Sequence, residues 1–153
     1  MNAQVVLVCG PAGAGKTTHA RSLEALGYVR LSFDEIAWDH GHREHPVPAE
    51  VAESVHAEIA RLLLAHVAAG ENVVVDTSFW SRASRDRYRA LLAEPGVVPV
   101  VHHVRADQAE VLVRLARRRG DGPHDVVVPV ERALAYLAGF EPPTEAEGPL
   151  VEV

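Results

Sequence analysis

A continuous apolar, β-branched run, Val5-Val6-Leu7-Val8-Cys9, leads directly into Gly10-Pro11-Ala12-Gly13-Ala14-Gly15-Lys16-Thr17. The second segment satisfies G-x-x-x-x-G-K-[ST], and the run before it reads as a strand buried on both faces. Each part of the pattern has a physical job. Glycines let the backbone curl so that successive N–H groups point inward as an anion nest. The helix that should start at Lys16 adds its positive end. Lys16 is placed to reach the β- and γ-phosphates of ATP, and Thr17 to offer its hydroxyl to Mg²⁺. Gly10, Ala12, Gly13, Ala14, Gly15, Lys16, Thr17 and Thr18 are the expected nucleotide-binding residues. The spacing G-x-x-G-x-G differs from the dinucleotide fingerprint G-x-G-x-x-G, which disfavours a Rossmann dehydrogenase.

Lys16 stands out for a second reason. The chain has 14 Arg and one Lys, with 23 Ala and 24 Val, a usage that suggests a GC-rich coding background. A surviving lysine marks a place where a planar guanidinium does not serve. Its solitude also removes the guanine-reading [NT]-K-x-D segment of switch GTPases. The length of 153 residues fits a single domain, taken as 1–153. One cysteine, Cys9, rules out an internal disulfide and suits a cytoplasmic location. No apolar run approaches the ~20 residues of a membrane span, and the N-terminus lacks a basic n-region. A net charge of −6 argues against generic binding to long nucleic acid.

Along the chain, strands alternate with helices. A helix is expected from Lys16 to Leu26, stopped by Gly27, then a strand over Tyr28–Ser32 and a helical turn over Phe33–Trp38. Pro48 reads as the first residue of a long helix that ends at Gly70. Val73–Asp76 reads as a third strand, Ser81 as the cap of a helix, and Val97–Val104 as a fourth strand weakened by Pro99. Asp107 and Glu110 suggest a capping box for a helix reaching Arg119. Another helix runs from Pro129 to Gly139, and Leu150–Val153 forms a last strand. The pattern is that of an α/β domain with a mainly parallel sheet.

Two carboxylates sit where such a sheet binds ligands, at the carboxyl ends of strands. Asp34 can accept a proton from an attacking hydroxyl. Asp76 closes a Walker-B-like strand and can hold Mg²⁺ directly or through water. Arg114, Arg117, Arg118 and Arg119 crowd one predicted helix, with Arg114 and Arg118 on a shared face. They suggest a lid, about 114–128, closing over triphosphate. Arg82 and Arg85 are as consistent with solvent as with an acceptor. Trp38 and Trp80 follow Asp34 and Asp76 by four residues each and are candidate pocket walls, with core packing the default. Of His102 and His103, at most one is expected to face the nucleotide. The loop Asp39-His40-Gly41-His42-Arg43-Glu44-His45 is dense in ligand types but framed by no element. His40, His42 and His45 therefore read as solvated.

These motifs resemble a family of small P-loop phosphotransferases related to polynucleotide kinase, zeta toxin and chloramphenicol phosphotransferase, often labelled AAA-domain ATP-binding proteins. The resemblance rests on Gly10–Thr18, Leu31–Asp34, Val73–Arg85, Arg114–Arg119 and Gly139–Pro143. It implies a three-layer P-loop kinase fold with five parallel strands in the order 2-3-1-4-5. It also implies Asp34 as general base, Arg114 and Arg118 as catalytic lid residues beside Lys16, and Phe140–Pro143 along the adenine. It does not imply a hexameric remodelling machine. Residues 36–48 carry no diagnostic match for an acceptor. The expected activity is ATP- and Mg²⁺-dependent transfer of the γ-phosphate to a hydroxyl of a small molecule. A kinase of nucleic-acid 5′ ends and a non-catalytic ATP-binding switch remain the alternatives, and oligomeric state stays open.

Overall fold

The computed structural model describes residues 3–11, 13–43 and 47–153. Five strands form one parallel sheet: β1 (Val5–Cys9), β2 (Val29–Ser32), β3 (Val73–Asp76), β4 (Val100–His103) and β5 (Leu150–Glu152). Their spatial order is β2-β3-β1-β4-β5, as the resemblance implies. The helices are α1 (Lys16–Glu24), α2 (Phe33–Asp39), α3 (Ala49–Ala68), α4 (Arg82–Ala93), α5 (Gln108–Ala116) and α6 (Val130–Gly139).

Strand alternation divides the core into layers. Val5, Leu7, Cys9, Val73, Val75 and Val101 face one side, where Val55, Ile59 and Leu63 of α3 and Tyr88 and Leu92 of α4 cover them. Val6, Val8 and Val74 face the other, against Ala20 of α1. Both faces are covered, so β1 and β3 consist wholly of buried residues. A smaller cluster joins Val111 and Leu115 of α5 to Ala133 of α6 and to Val128.

Several boundaries differ from expectation. Pro48 and Pro129 precede their helices as caps instead of opening them, with φ near −55° and −59° and extended ψ near 150°. β4 starts only at Val100, because Pro99 has no N–H to give a ladder and Val98 lies exposed. α5 ends at Ala116, short of Arg119. There the N–H groups of Arg117 and Arg118 turn back three residues, to the carbonyls of Arg114 and Leu115. The Asp125 carboxylate then captures the N–H groups of Arg119 and Asp121, both at 3.0 Å. Loop bonds thus replace the next helical turn, and Arg114 and Arg118 no longer share a helix face. The Asp107 side chain caps α5 through the Glu110 N–H at 2.8 Å. Ser81 caps α4 in a reciprocal box with Ser84.

The register sets the site. Asp76 pairs with Val8 on one side and Ser32 on the other. The phosphate loop, the β2–α2 junction and the residues after β3 therefore emerge at one edge of the sheet.

Candidate active site

The loop between β1 and α1 is built as its glycines demand. Gly13 and Gly15 have φ of 81° and 100°, in the left-handed region. A Cβ on Gly10 would stand 2.7 Å from the Val104 carbonyl, and one on Gly13 3.0 Å from the Leu115 side chain. Gly15 caps α1 without any side-chain bond, which leaves the first N–H groups of the helix to a ligand. Ala12 lies outside the described residues.

Thr17 Oγ1 donates to Asp76 Oδ2 at 3.0 Å, joining residues 59 apart in sequence. Burial pushes the Asp76 carboxyl up from its ordinary value, while Lys16 and the Thr17 hydroxyl oppose that rise. Burial likewise lowers the Lys16 ammonium, whose Nζ donates to the Pro11 carbonyl at 3.2 Å, against the pull of Asp76 and Asp34. Burial lowers Arg118 too, against Asp34 and Asp125. Lys16, Asp34, Asp76 and Arg118 thus form one mutually interacting set at the head of the sheet. A hydroxyl and a carboxylate converging beside a buried ammonium are the hard oxygen donors that suit Mg²⁺, and the curled backbone suits phosphate, so both groups fit.

A cavity of about 960 Å³ opens over these residues. It takes in Gly13 to Thr18, Asp34, Arg114 and Arg118, so nearly all the expected site residues are brought together there. Arg114 donates to the Gly13 carbonyl at 3.1 Å and pairs with Glu110 at 2.7 Å. Arg118 donates to the Val126 carbonyl across the loop that follows α5. Phe140 and Gly139 line the cavity while Glu141, Pro142 and Pro143 do not, and Trp80 borders it half-exposed.

Other candidates lie away from the cavity. Arg85 does not line the cavity: it is fully buried and forms a bidentate pair with Glu147, Nε to Oε1 at 2.8 Å and Nη2 to Oε2 at 2.9 Å. Its Nη1 donates to the carbonyls of Phe79 and Glu141. Arg82 is exposed beside Asp86. His103 packs on Phe140 with Nδ1 2.9 Å from Glu152, and His102 meets His19 of α1, so neither borders the cavity. Trp38 carries Arg43 over its ring, away from the cavity. Among the described residues no three His, Cys, Asp or Glu side chains gather as a metal cluster. His40 pairs with Glu58, and His45 lies outside the described residues.

Two histidines enter the site unannounced. His124 brings Nδ1 to 3.2 Å from Thr17 Oγ1 and Nε2 to 3.6 Å from Glu35. His56 of α3 lines the cavity with Nδ1 2.8 Å from the Tyr88 hydroxyl. The only signal for either was position: His124 within the segment expected as a lid, His56 four residues after Ala52 on the helix that follows residues 36–48.

Residues 5–143 match the model of a family described as an AAA domain. A UPF0200 protein of Pyrobaculum aerophilum is 30% identical over 124 residues, 78% of this chain and 69% of its own length. A Chloroflexus aurantiacus structure, described as a candidate kinase, superposes with TM-score 0.76 at 21% identity over 100% of this chain and 88% of its own. A Sinorhizobium meliloti gluconokinase gives 0.67 at 21%, covering 98% and 82%. A chain of the Pnkp1/Rnl/Hen1 RNA repair complex gives 0.77 at 16%, covering 90% of this chain and 44% of that one. These likenesses establish a P-loop kinase-like fold.

Proposed function

We propose that this chain, which belongs to the AAA domain family, transfers the γ-phosphate of ATP to a hydroxyl of a small molecule with the help of Mg²⁺. The observation that carries the reading is that Asp34, Lys16 and Arg118 line the cavity that also holds the glycine loop, with Asp76 buried behind Thr17. A site meant only to hold nucleotide has no use for Asp34 facing the phosphate lysine.

In this reading the loop amides and Lys16 hold the β- and γ-phosphates. Thr17 and Asp76 supply oxygen ligands for Mg²⁺, which would polarise the phosphates when bound. His124 leaves Thr17 for that to happen. Asp34 orients the acceptor hydroxyl and takes its proton as the oxygen–phosphorus bond forms and the bond to ADP breaks. Arg114 and Arg118 neutralise charge on the transferring group, and the segment from about 114 to 128 excludes water.

The likeness to the RNA repair chain favours one second reading, a 5′-hydroxyl polynucleotide acceptor. A single screen tests both. γ-Labelled ATP and Mg²⁺ are incubated with a metabolite and antibiotic library and with a 5′-hydroxyl oligonucleotide. Label is expected on a small alcohol, and Asp34→Asn is expected to slow that transfer about 10²–10⁴-fold. Label on the oligonucleotide alone would replace the first reading with the second. Normal transfer by the variant would remove Asp34 as base.

A further inference from the structure

Resting on the phosphotransferase reading, we propose that the acceptor subsite selects an uncharged alcohol with a flat apolar body. His56, held by Tyr88, reads that body's polar edge.

The charge around the cavity is one-sided. Its basic lining residues Lys16, Arg21, Arg114 and Arg118 all belong to the phosphate loop, α1 or the lid segment. The wall beyond Asp34 includes Phe33, Ala52, His56, Phe79 and Trp80, with the hydroxyl residues Thr77, Ser78 and Ser84 beside them. Among the described residues that wall holds no Lys or Arg. The four arginines of α4 are each paired with a carboxylate: Arg82 with Asp86, Arg85 with Glu147, Arg87 with Glu53, and Arg89 with Asp86 and Glu147. A carboxylate or phosphate entering here sheds water, gains no cation, and meets the negative charge of Asp34. A neutral, flat group loses little water and gains aromatic surface.

One polar feature of the wall is a coupled pair. The His56 ring lies 5.0 Å from Phe33 and 5.9 Å from Tyr88, while Phe79 stacks edge-on against Tyr88 at 5.0 Å. Burial, assisted by Arg87, lowers the His56 imidazole below its ordinary value and so keeps it neutral. Burial pushes the Tyr88 phenol up to about 12, so it keeps its proton. A neutral imidazole with one nitrogen engaged by a phenol has a single nitrogen left for a ligand. That nitrogen can pair with an amide or hydroxyl, and the ring brings no full charge to hold an anion.

The wall is also fixed in advance. Phe79 holds a left-handed φ of 46°, rare for an aromatic residue. Its carbonyl accepts from Arg85 at 2.7 Å and from the Cys9 thiol at 3.4 Å, and the Trp80 carbonyl accepts from Glu141 at 2.7 Å. A prearranged aromatic slot favours a rigid, planar ligand over a floppy one.

The test is calorimetric binding to the full chain with Mg²⁺ and a non-hydrolysable ATP analogue, using matched neutral and anionic probes. The pairs are 4-(hydroxymethyl)benzamide with 4-(hydroxymethyl)benzoate, glucose with gluconate, and thymidine with 5′-hydroxyl dithymidylate. The benzamide is expected to bind at least about 10-fold more tightly than the benzoate, and no anion more tightly than its neutral partner. Ala52→Lys, one turn before His56 on α3, is expected to shrink or reverse the benzamide preference. His56→Phe is expected to weaken the benzamide about 10-fold, the worth of one good hydrogen bond, yet leave benzyl alcohol unchanged. A merely structural role would weaken both ligands alike. Equal or tighter binding of the benzoate, gluconate or the dinucleotide overturns the proposal, as does binding by no probe. Phosphate transfer to an anionic acceptor would sink this inference while keeping the kinase reading. Selective binding of neutral alcohols with no transfer from ATP would do the reverse.

Discussion

The two sides of the cavity are built on different principles. The nucleotide side is local: Gly10 to Thr18 is one stretch of backbone, shaped by glycine φ values and continued by α1. The side proposed for the acceptor is assembled from the β2–α2 junction, α3, the turn after β3 and the start of α4. Its shape depends on an ion pair between residues 62 apart, Arg85 and Glu147. Damage to the local side should therefore appear first in chemistry, and damage to the assembled side first in stability.

Arg85→Ala gives the largest expected effect. It leaves Glu147, whose side chain is 2% exposed, buried without its main partner, and it frees the carbonyls of Phe79 and Glu141. Breaking a buried pair from one end costs about 3–5 kcal/mol. Urea unfolding should show that loss. Near-normal stability with lost ATP binding would instead move Arg85 to the nucleotide side and erase the contrast. Lys16→Met is the opposite case. Removing one preorganised charge from the phosphates should slow transfer about 10²–10³-fold. The unfolding midpoint should move much less than for Arg85→Ala, and an equal shift would show that both sides are tertiary constructions.

The same contrast explains what could be read from the chain. The phosphate loop is contiguous, so its residue types and spacing expose its chemistry directly. Asp76 was legible because a carboxylate closing a buried apolar strand is costly unless a hydroxyl or a cation meets it. The strand order came from resemblance, since periodicity alone does not order parallel strands. Arg85 was not legible: an arginine two turns from a site looks alike whether it faces ligand or a buried glutamate, and Glu147 lies in an unpatterned tail. Arg118 was misplaced on a helix because its spacing from Arg114 is helical. What stops the helix is the Asp125 carboxylate, which takes the next two free N–H groups. His56 was missed because its partner Tyr88 lies 32 residues away on another helix.

Acid tests the clamp more finely. The Arg85 hydrogen bonds, against the cost of burial, hold Glu147 down at about 2, below its ordinary 4.5. A depressed carboxylate contributes stability above its unfolded value and loses it as pH falls through the folded one. The window here runs from about pH 4.5 to about pH 2, because the unfolded chain takes up the proton first. The gap corresponds to about 3 kcal/mol. Glu147→Gln should lose about that much at neutral pH and show a flatter stability curve through the window. A parallel curve for the variant would mean that another group carries the acid sensitivity.

The smallest expected effect lies at the seam of the proposed acceptor wall. Ser81 ends the turn that carries Phe79 and Trp80, and its Oγ accepts the Ser84 N–H at 3.1 Å while Ser84 Oγ accepts the Ser81 N–H at 3.3 Å. Ser81→Ala removes one half of that box and should cost about 1 kcal/mol, the usual worth of an N-cap. Because Gly10 N–H donates to Ser78 O at 3.2 Å, the wall turn also touches the first residue of the phosphate loop. If that single bond couples the two sides, Ser81→Ala will weaken ATP binding measurably. If each side stands on its own support, the melting point alone will fall and nucleotide affinity will hold, since the glycine geometry of the loop does not depend on the α4 cap.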